Sequence, residues 1–281
     1  KGSMGLIDEA RAAALYADMA PGMETSGGSG ANTVAGVASL GARAAYVGKV
    51  AKDQLGEVFA HDMRAIGVAF DVAPLVGGAA TARSLINVTP DGERTMSTFL
   101  GASNQLTPED VDAGLIETSS ILFLEGYLFD PSEARRAFAK AAAIARTCCR
   151  KIAFTLSDTF VVERHRGALL EFIESQVDIV FANEGEVCAL FETDFETAVA
   201  ALAARSHIAA VTRGEAGSVV TRGAERYEVP AYPVREVVDT TGAGDQYAAG
   251  FLFGLARDRS LDHCARLGAL AATEVISHYG P

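Results

Sequence analysis

A chain of 281 residues, 49% hydrophobic and 21% charged, has the length and composition of one globular domain with a sizeable core. Its formal net charge of −12, with no Lys/Arg-rich block, excludes an extended nucleic-acid surface, which needs clustered base. No apolar run reaches the about 18 residues a membrane-spanning helix requires, and four cysteines without a C-x-x-C spacing read as buried reduced thiols of a cytoplasmic protein.

In chain order, Lys1-Gly2-Ser3-Met4 reads either as a vector-derived remnant or as native sequence continuing from upstream. Asp8 and Asp18 lie in helical-looking sequence. Met19 and Met23, either side of Pro21-Gly22, either fill a gap or line a pocket. Gly27-Gly28-Ser29-Gly30-Ala31-Asn32-Thr33 then leads into an Ala/Val-rich helix. The paired glycines let a ligand approach the backbone, and Asn32 offers donors and an acceptor to sugar hydroxyls. No Lys-Ser/Thr follows, so the run is not a P-loop, and it fails the dinucleotide-binding pattern at Thr33. Thr81–Val88 and Thr95–Leu100 flank Pro90-Asp91-Gly92, a hairpin between helical segments with no helix of its own to cover it; it is either a lid or an edge hairpin.

From Ser120 onward the texture is βα alternation. Strands are predicted at Ser120–Glu125, Lys151–Leu156, Val177–Ala182 and Ile208–Thr212, with a hairpin at Gly217–Thr221 and Arg226–Val229. Between them lie a helix opened by Pro131-Ser132 and stretches around Leu169–Ile173, Glu186–Phe191 and Phe195–Ala204. Short apolar strands spaced by helices predict right-handed βαβ units and a mostly parallel sheet. Asp239-Thr240-Thr241-Gly242-Ala243-Gly244-Asp245 then turns into a final helical region. Small residues there let successive amides face one concavity at a helix N-terminus, a setting for phosphate, and Asp245 stands in the first turn as a proton acceptor. Taken alone, the run is also what a plain helix entry looks like.

The two glycine-rich runs together, Gly27 to Gly56 and Asp239 to Leu252, resemble the paired signatures of the PfkB/ribokinase family of carbohydrate and nucleoside kinases, and the likeness extends over nearly the whole chain. It implies a single ribokinase-like domain, a three-layer α/β/α sandwich with a β-sheet lid from about residues 21–26 and 68–101. It implies ATP as phosphoryl donor with Mg²⁺, Asp245 as catalytic base, and Gly242, Ala243 and Gly244 as anion hole. Gly27, Gly28 and Asn32 would hold the acceptor, with Arg83 in the lid. Asn183 and Glu186 resemble the family's Asn-x-x-Glu motif, Glu186 meeting Mg²⁺ through water; Thr212, Arg213, Gly214 and Gly217 resemble its ATP loop.

Two stretches are similar to the family's adenosine kinases: Phe154–Phe160, which would make Phe160 a base-stacking platform, and Cys264–Ala272, which would put Ala272 on the nucleotide side. Asp158 departs from the small residue that resemblance leads one to expect. The implied acceptor is a nucleoside, adenosine, with ribose, fructose or a related sugar as the alternative. The family's opening strand, with its acceptor-binding Asp, has no counterpart before Gly27, so the native start is expected upstream of Lys1. Monomers and homodimers paired through the lid are both left open.

Overall fold

The computed structural model describes residues 4–89, 94–129 and 132–280. Strand Lys151–Thr155 shows how the layers arise. Ile152 and Phe154 point to one core, and Ala153 between them points to another. Its neighbours do the same: Val180 and Ala182 against Ile179 and Phe181, Ala209 and Val211 against Ile208 and Ala210. A strand buried on both faces reads as a continuous apolar run, which is why these segments were legible without polar alternation.

In chain order the strands are β1 (Met4–Leu6), β2 (Ala44–Ala45), β3 (Val68–Ala69), β4 (Arg83–Val88), β5 (Arg94–Phe99), β6 (Ile121–Glu125), β7 (Lys151–Thr155), β8 (Ile179–Asn183), β9 (Ile208–Thr212), β10 (Ser218–Arg222) and β11 (Glu225–Val229). The helices are α1 (Glu9–Asp18), α2 (Ser29–Ser39), α3 (Gln54–Ala65), α4 (Ala113–Thr118), α5 (Ser132–Thr147), α6 (Thr159–Gln176), α7 (Glu184–Phe191), α8 (Phe195–Ala203), α9 (Ala243–Leu255) and α10 (Leu261–Val275). The large sheet runs β11-β10-β9-β8-β7-β6, parallel from β6 to β9 and antiparallel at β10 and β11. Helices α5 to α8 cover one face around an aromatic cluster of Phe129, Phe138, Phe154 and Phe172, and α9 with α10 cover the other. This is the three-layer α/β/α arrangement with a mostly parallel sheet that the sequence led us to expect.

Several expectations need correction. The hairpin β4–β5 does not stand alone: β1 pairs in parallel with β5, making the order β1-β5-β4, and α1 packs on both hairpin strands. A three-residue strand carries too little periodicity to show in sequence, and Asp8 marks its end by capping α1 through the Arg11 amide. Residues 21–26 contribute no strand to this sheet, and β3 pairs with β2 elsewhere. Met23 is 71% exposed on the cleft described below, so it fills no gap. Among the cysteines, Cys264 is buried but Cys149 is exposed; all four are free thiols. The expected turn at Pro90-Asp91-Gly92 and the helix opening at Pro131 lie outside the described residues. Among those described, no helix is long and apolar enough to cross a membrane.

Candidate active site

The loop before α9 is built by Asp239. Its buried carboxylate accepts the Thr241 amide at 2.9 Å and the Thr241 hydroxyl at 2.6 Å, and its second oxygen accepts the Gly280 amide at 3.3 Å. Gly242 then turns at φ 79°, a left-handed conformation that a side chain would strain, and serves as N-cap with no side chain to offer. The Ala243 amide closes a turn onto the Thr240 carbonyl at 3.3 Å, while Gln246 makes the first full helical bond, back to Gly242. Of the anion hole expected at Gly242, Ala243 and Gly244, the Ala243 amide is thus taken up by the turn, whereas the amides of Gly244 and Asp245 belong to the first turn and have no intrahelical acceptor. Around Gly244 there is open space, so an anion can come close to that end of the helix dipole.

Asp245 is gripped from the far end of the sequence. Ser29 donates its hydroxyl to Oδ1 at 2.8 Å, and Asn32 donates its amide nitrogen to Oδ2 at 2.8 Å. Gln246 returns the contact, donating to the Asn32 carbonyl at 3.1 Å. Helices α2 and α9 approach this closely because position 36 is glycine: a Cβ there would lie 2.1 Å from the Gln246 side chain and 2.7 Å from the Ala249 Cβ. Burial pushes the Asp245 carboxyl up to about 6, against the pull of the Asn32 and Ser29 hydrogen bonds and the Arg94 charge. Ser29 sits in the glycine-rich run, yet its partner Asp245 lies 216 residues away, so nothing local in the sequence marks it as part of the site.

These groups face a cleft of about 3380 Å³ between β6, the β1-β5-β4 sheet and α9. Gly27, Gly28, Asn32 and Arg83 line it as expected from sequence. So does Arg94 of β5, which sequence reading did not single out because a strand arginine carries no motif. Its positive charge acts on both Asp245 and Asp158, and its Nε is buried without a hydrogen-bond partner among the described residues. Arg83 is also buried at Nε without such a partner, its guanidinium 6.0 Å from the Phe99 ring centre.

Phe160 does not join the cleft lining. Asp158 caps α6 through the Phe160 amide at 3.2 Å, so the ring stands in the first helical turn. It packs 6.1 Å from Tyr127 with the Arg164 guanidinium 5.5 Å from its centre. Of this ring pair it is Tyr127, held by a bond from its hydroxyl to the Ser157 carbonyl at 3.2 Å, that lines the cleft.

On the other side, Asn183 and Glu186 form a reciprocal cap at the start of α7. The Asn183 side chain accepts the Glu186 amide, while Glu186 accepts the Asn183 backbone amide at 2.9 Å and its side-chain amide at 2.8 Å. Burial pushes the Glu186 carboxyl up to about 7; the Asn183 amide opposes this, and Asp158 and Asp245 add repulsion. Thr212, Gly214, Gly217 and Ala272 line the cleft near it. Arg213 is not part of that lining: it pairs with Glu184 at 3.3 Å and stacks 4.0 Å over Phe195.

Against known families, residues 21–281 match the model of the pfkB family carbohydrate kinases. The fold is similar to that of adenosine kinase from Sinorhizobium meliloti, at 56% identity and TM-score 0.98 over 100% of this chain and 86% of that one. A probable sugar kinase protein from Rhizobium etli gives 52% identity and TM-score 0.98, again over 100% and 86%. The ATP-dependent ribose-1-phosphate kinase of Halopiger xanaduensis is 31% identical over 256 residues, 89% of this chain and 81% of that relative.

Proposed function

The chain belongs to the pfkB family of carbohydrate kinases, phosphotransferases that use ATP and an alcohol acceptor, and we propose that its own acceptor is adenosine, phosphorylated on its primary hydroxyl. The observation that carries the chemistry is the clamp on Asp245. A carboxylate in the first turn of a helix without a side-chain cap, fixed through both oxygens by Ser29 and Asn32 at the start of α2, is a base held beside an anion site.

In this reading Asp245 accepts the proton of the hydroxymethyl as that oxygen attacks the γ-phosphorus in line. The Gly244 and Asp245 amides, at the positive end of α9, meet the charge that develops on the phosphoryl oxygens. The Arg94 guanidinium, brought by the lid, adds a second positive group on the same side as the base. Ser29 and Asn32 keep the carboxylate oriented, so alignment is already in place when substrates arrive. Gly27 and Gly28 shape the acceptor side, and Thr212, Gly214, Gly217 and Ala272 the nucleotide side.

Mg²⁺ fits this site in one manner. Glu186 is 5% exposed with both oxygens already accepting bonds from Asn183, and no cluster of three metal-ligating side chains occurs among the described residues. Such a set suits an ion held mainly through water and nucleotide oxygens, with Asn183 and Glu186 organising the water. When bound, the ion would neutralise phosphate charge.

The adenosine reading draws on the 56% identity to the Sinorhizobium meliloti enzyme and on an aromatic wall at Tyr127 in place of Phe160. A sugar acceptor is the second reading, favoured by the ribose-1-phosphate kinase relative. An ADP-release screen with Mg-ATP against adenosine, other nucleosides, ribose and fructose decides between them. Adenosine-dependent turnover is expected. Preference for a free sugar would replace the acceptor, and no stimulation by any of them would overturn the kinase reading.

A further inference from the structure

Glu125 ends β6 at the cleft wall, and the transfer described above gives it no task. Its Oε2 accepts the Gly30 amide at 2.7 Å. That amide lies in the first turn of α2, whose N-cap Gly28 has no side chain with which to satisfy it. First-turn amides left in a folded interior need an acceptor, and here another element supplies it. The fit is tight: a Cβ on Gly30 would lie 3.1 Å from that same oxygen and 3.3 Å from the Tyr46 ring. Gly30 sits between Ser29 and Asn32, the two donors to Asp245. Slack at this amide passes directly to the base.

We propose that Glu125 is a positioning residue for phosphoryl transfer: as a distant cap on α2 it holds Ser29 and Asn32 where they fix Asp245. This rests on the kinase reading above. The titratable groups facing Glu125 from neighbouring elements are Tyr46 ahead of α3, Tyr127 after β6 and Asp245 of α9. Burial raises the Glu125 carboxyl to about 7; the Gly30 bond pulls it down and the Asp245 charge pushes it up further. Above that pH the cap is a charge-assisted bond, and below it a weaker neutral one. Protonation of Glu125 therefore takes part of the wild-type rate as pH falls through about 7, in addition to the loss from Asp245, which titrates near 6.

The test pairs steady-state kinetics from pH 6 to 8.5 with amide hydrogen exchange on the intact chain, for wild type, E125A and E125Q. Glutamine keeps a carbonyl that accepts the Gly30 bond and never titrates, so E125Q also guards against misfolding of E125A. Expected for E125A are at least about tenfold faster exchange across Gly30–Thr33 and a roughly 10–100-fold lower kcat, with the KM for ATP within about twofold. E125Q should keep kcat within about threefold at pH 8 and lose the rate component with midpoint near 7. Unchanged exchange and kcat in E125A would overturn the proposal. So would an E125Q as slow as E125A with normal α2 exchange and a raised acceptor KM, which would make Glu125 a direct acceptor contact. A wild type inactive on every acceptor would overturn the kinase reading and the catalytic half with it, while the exchange arm would still decide the cap.

Discussion

At Asp245 two effects pull against each other. Desolvation disfavours its charge, and hydrogen bonds from Asn32 and Ser29 restore part of it, leaving the carboxyl titrating near 6. A base must be ionised to accept a proton, so kcat/KM should rise with pH through a limb near 6, which in E125Q stands alone without the component near 7. Asp245→Asn should lower kcat by about 10²–10⁴ with ATP affinity nearly unchanged, since the asparagine fills the same space but cannot take the proton. Equilibrium ATP binding measured beside turnover checks both parts; an unchanged kcat would remove Asp245 from the mechanism. The aromatic wall allows a second comparison. Tyr127→Ala should raise the acceptor KM at least several-fold, whereas Phe160→Ala, one layer behind the cleft, should act on KM far less and mainly on thermal stability. The reverse order of KM effects would restore Phe160 as the platform.

The α2–α9 contact joins residues from opposite ends of the chain, and it depends on Gly36. Gly36→Val would drive a branched side chain into Gln246 and Ala249, separating Asp245 from Ser29 and Asn32. We expect kcat to fall roughly 10–100-fold, as small misplacements of reacting groups do, along with a lower Tm. A variant that loses stability but keeps full kcat would show that the helix contact does not align the base. Sequence displayed the elements here better than their joints. The doubly buried strands β7 to β9 and the helix starting at Ala243 were legible because apolar runs and small-residue turns are local signals. The bond from the Gly30 amide to Glu125, the charge of Arg94 acting on Asp245 and the parallel pairing of β1 with β5 were not, because each is a meeting of segments far apart in the chain. Phe160 failed for a local reason that could have been read: Asp158 is a good N-cap, and capping there turns the ring into α6.

Over the whole molecule, the site is a place where stability is given up. Asp245, Glu125 and Glu186 titrate at about 6, 7 and 7 in the folded chain, above their ordinary 3.8, 4.5 and 4.5. Between those limits the folded state binds more protons than the unfolded one, so their contribution to stability is present below about pH 4 and is lost as pH rises to 7. Three carboxylates crowd around one cleft, where the proposed transfer needs an acceptor for the hydroxyl proton at Asp245 and an organiser of metal-bound water at Glu186, and the folded protein bears their repulsion. Removing one charge should relieve it only where that charge exists. The Tm of Asp245→Asn minus that of wild type should therefore be more positive at pH 8 than at pH 5. With solvent screening at the cleft mouth the relief is on the order of 1–2 kcal/mol, or roughly 2–8 °C. The changed hydrogen bonding to Ser29 and Asn32 enters both measurements and cancels in the difference. Calorimetric scans of both proteins at the two pH values check it. A Tm difference independent of pH would mean that Asp245 carries no buried-charge penalty, and would also undercut its limb near 6 in the rate profile.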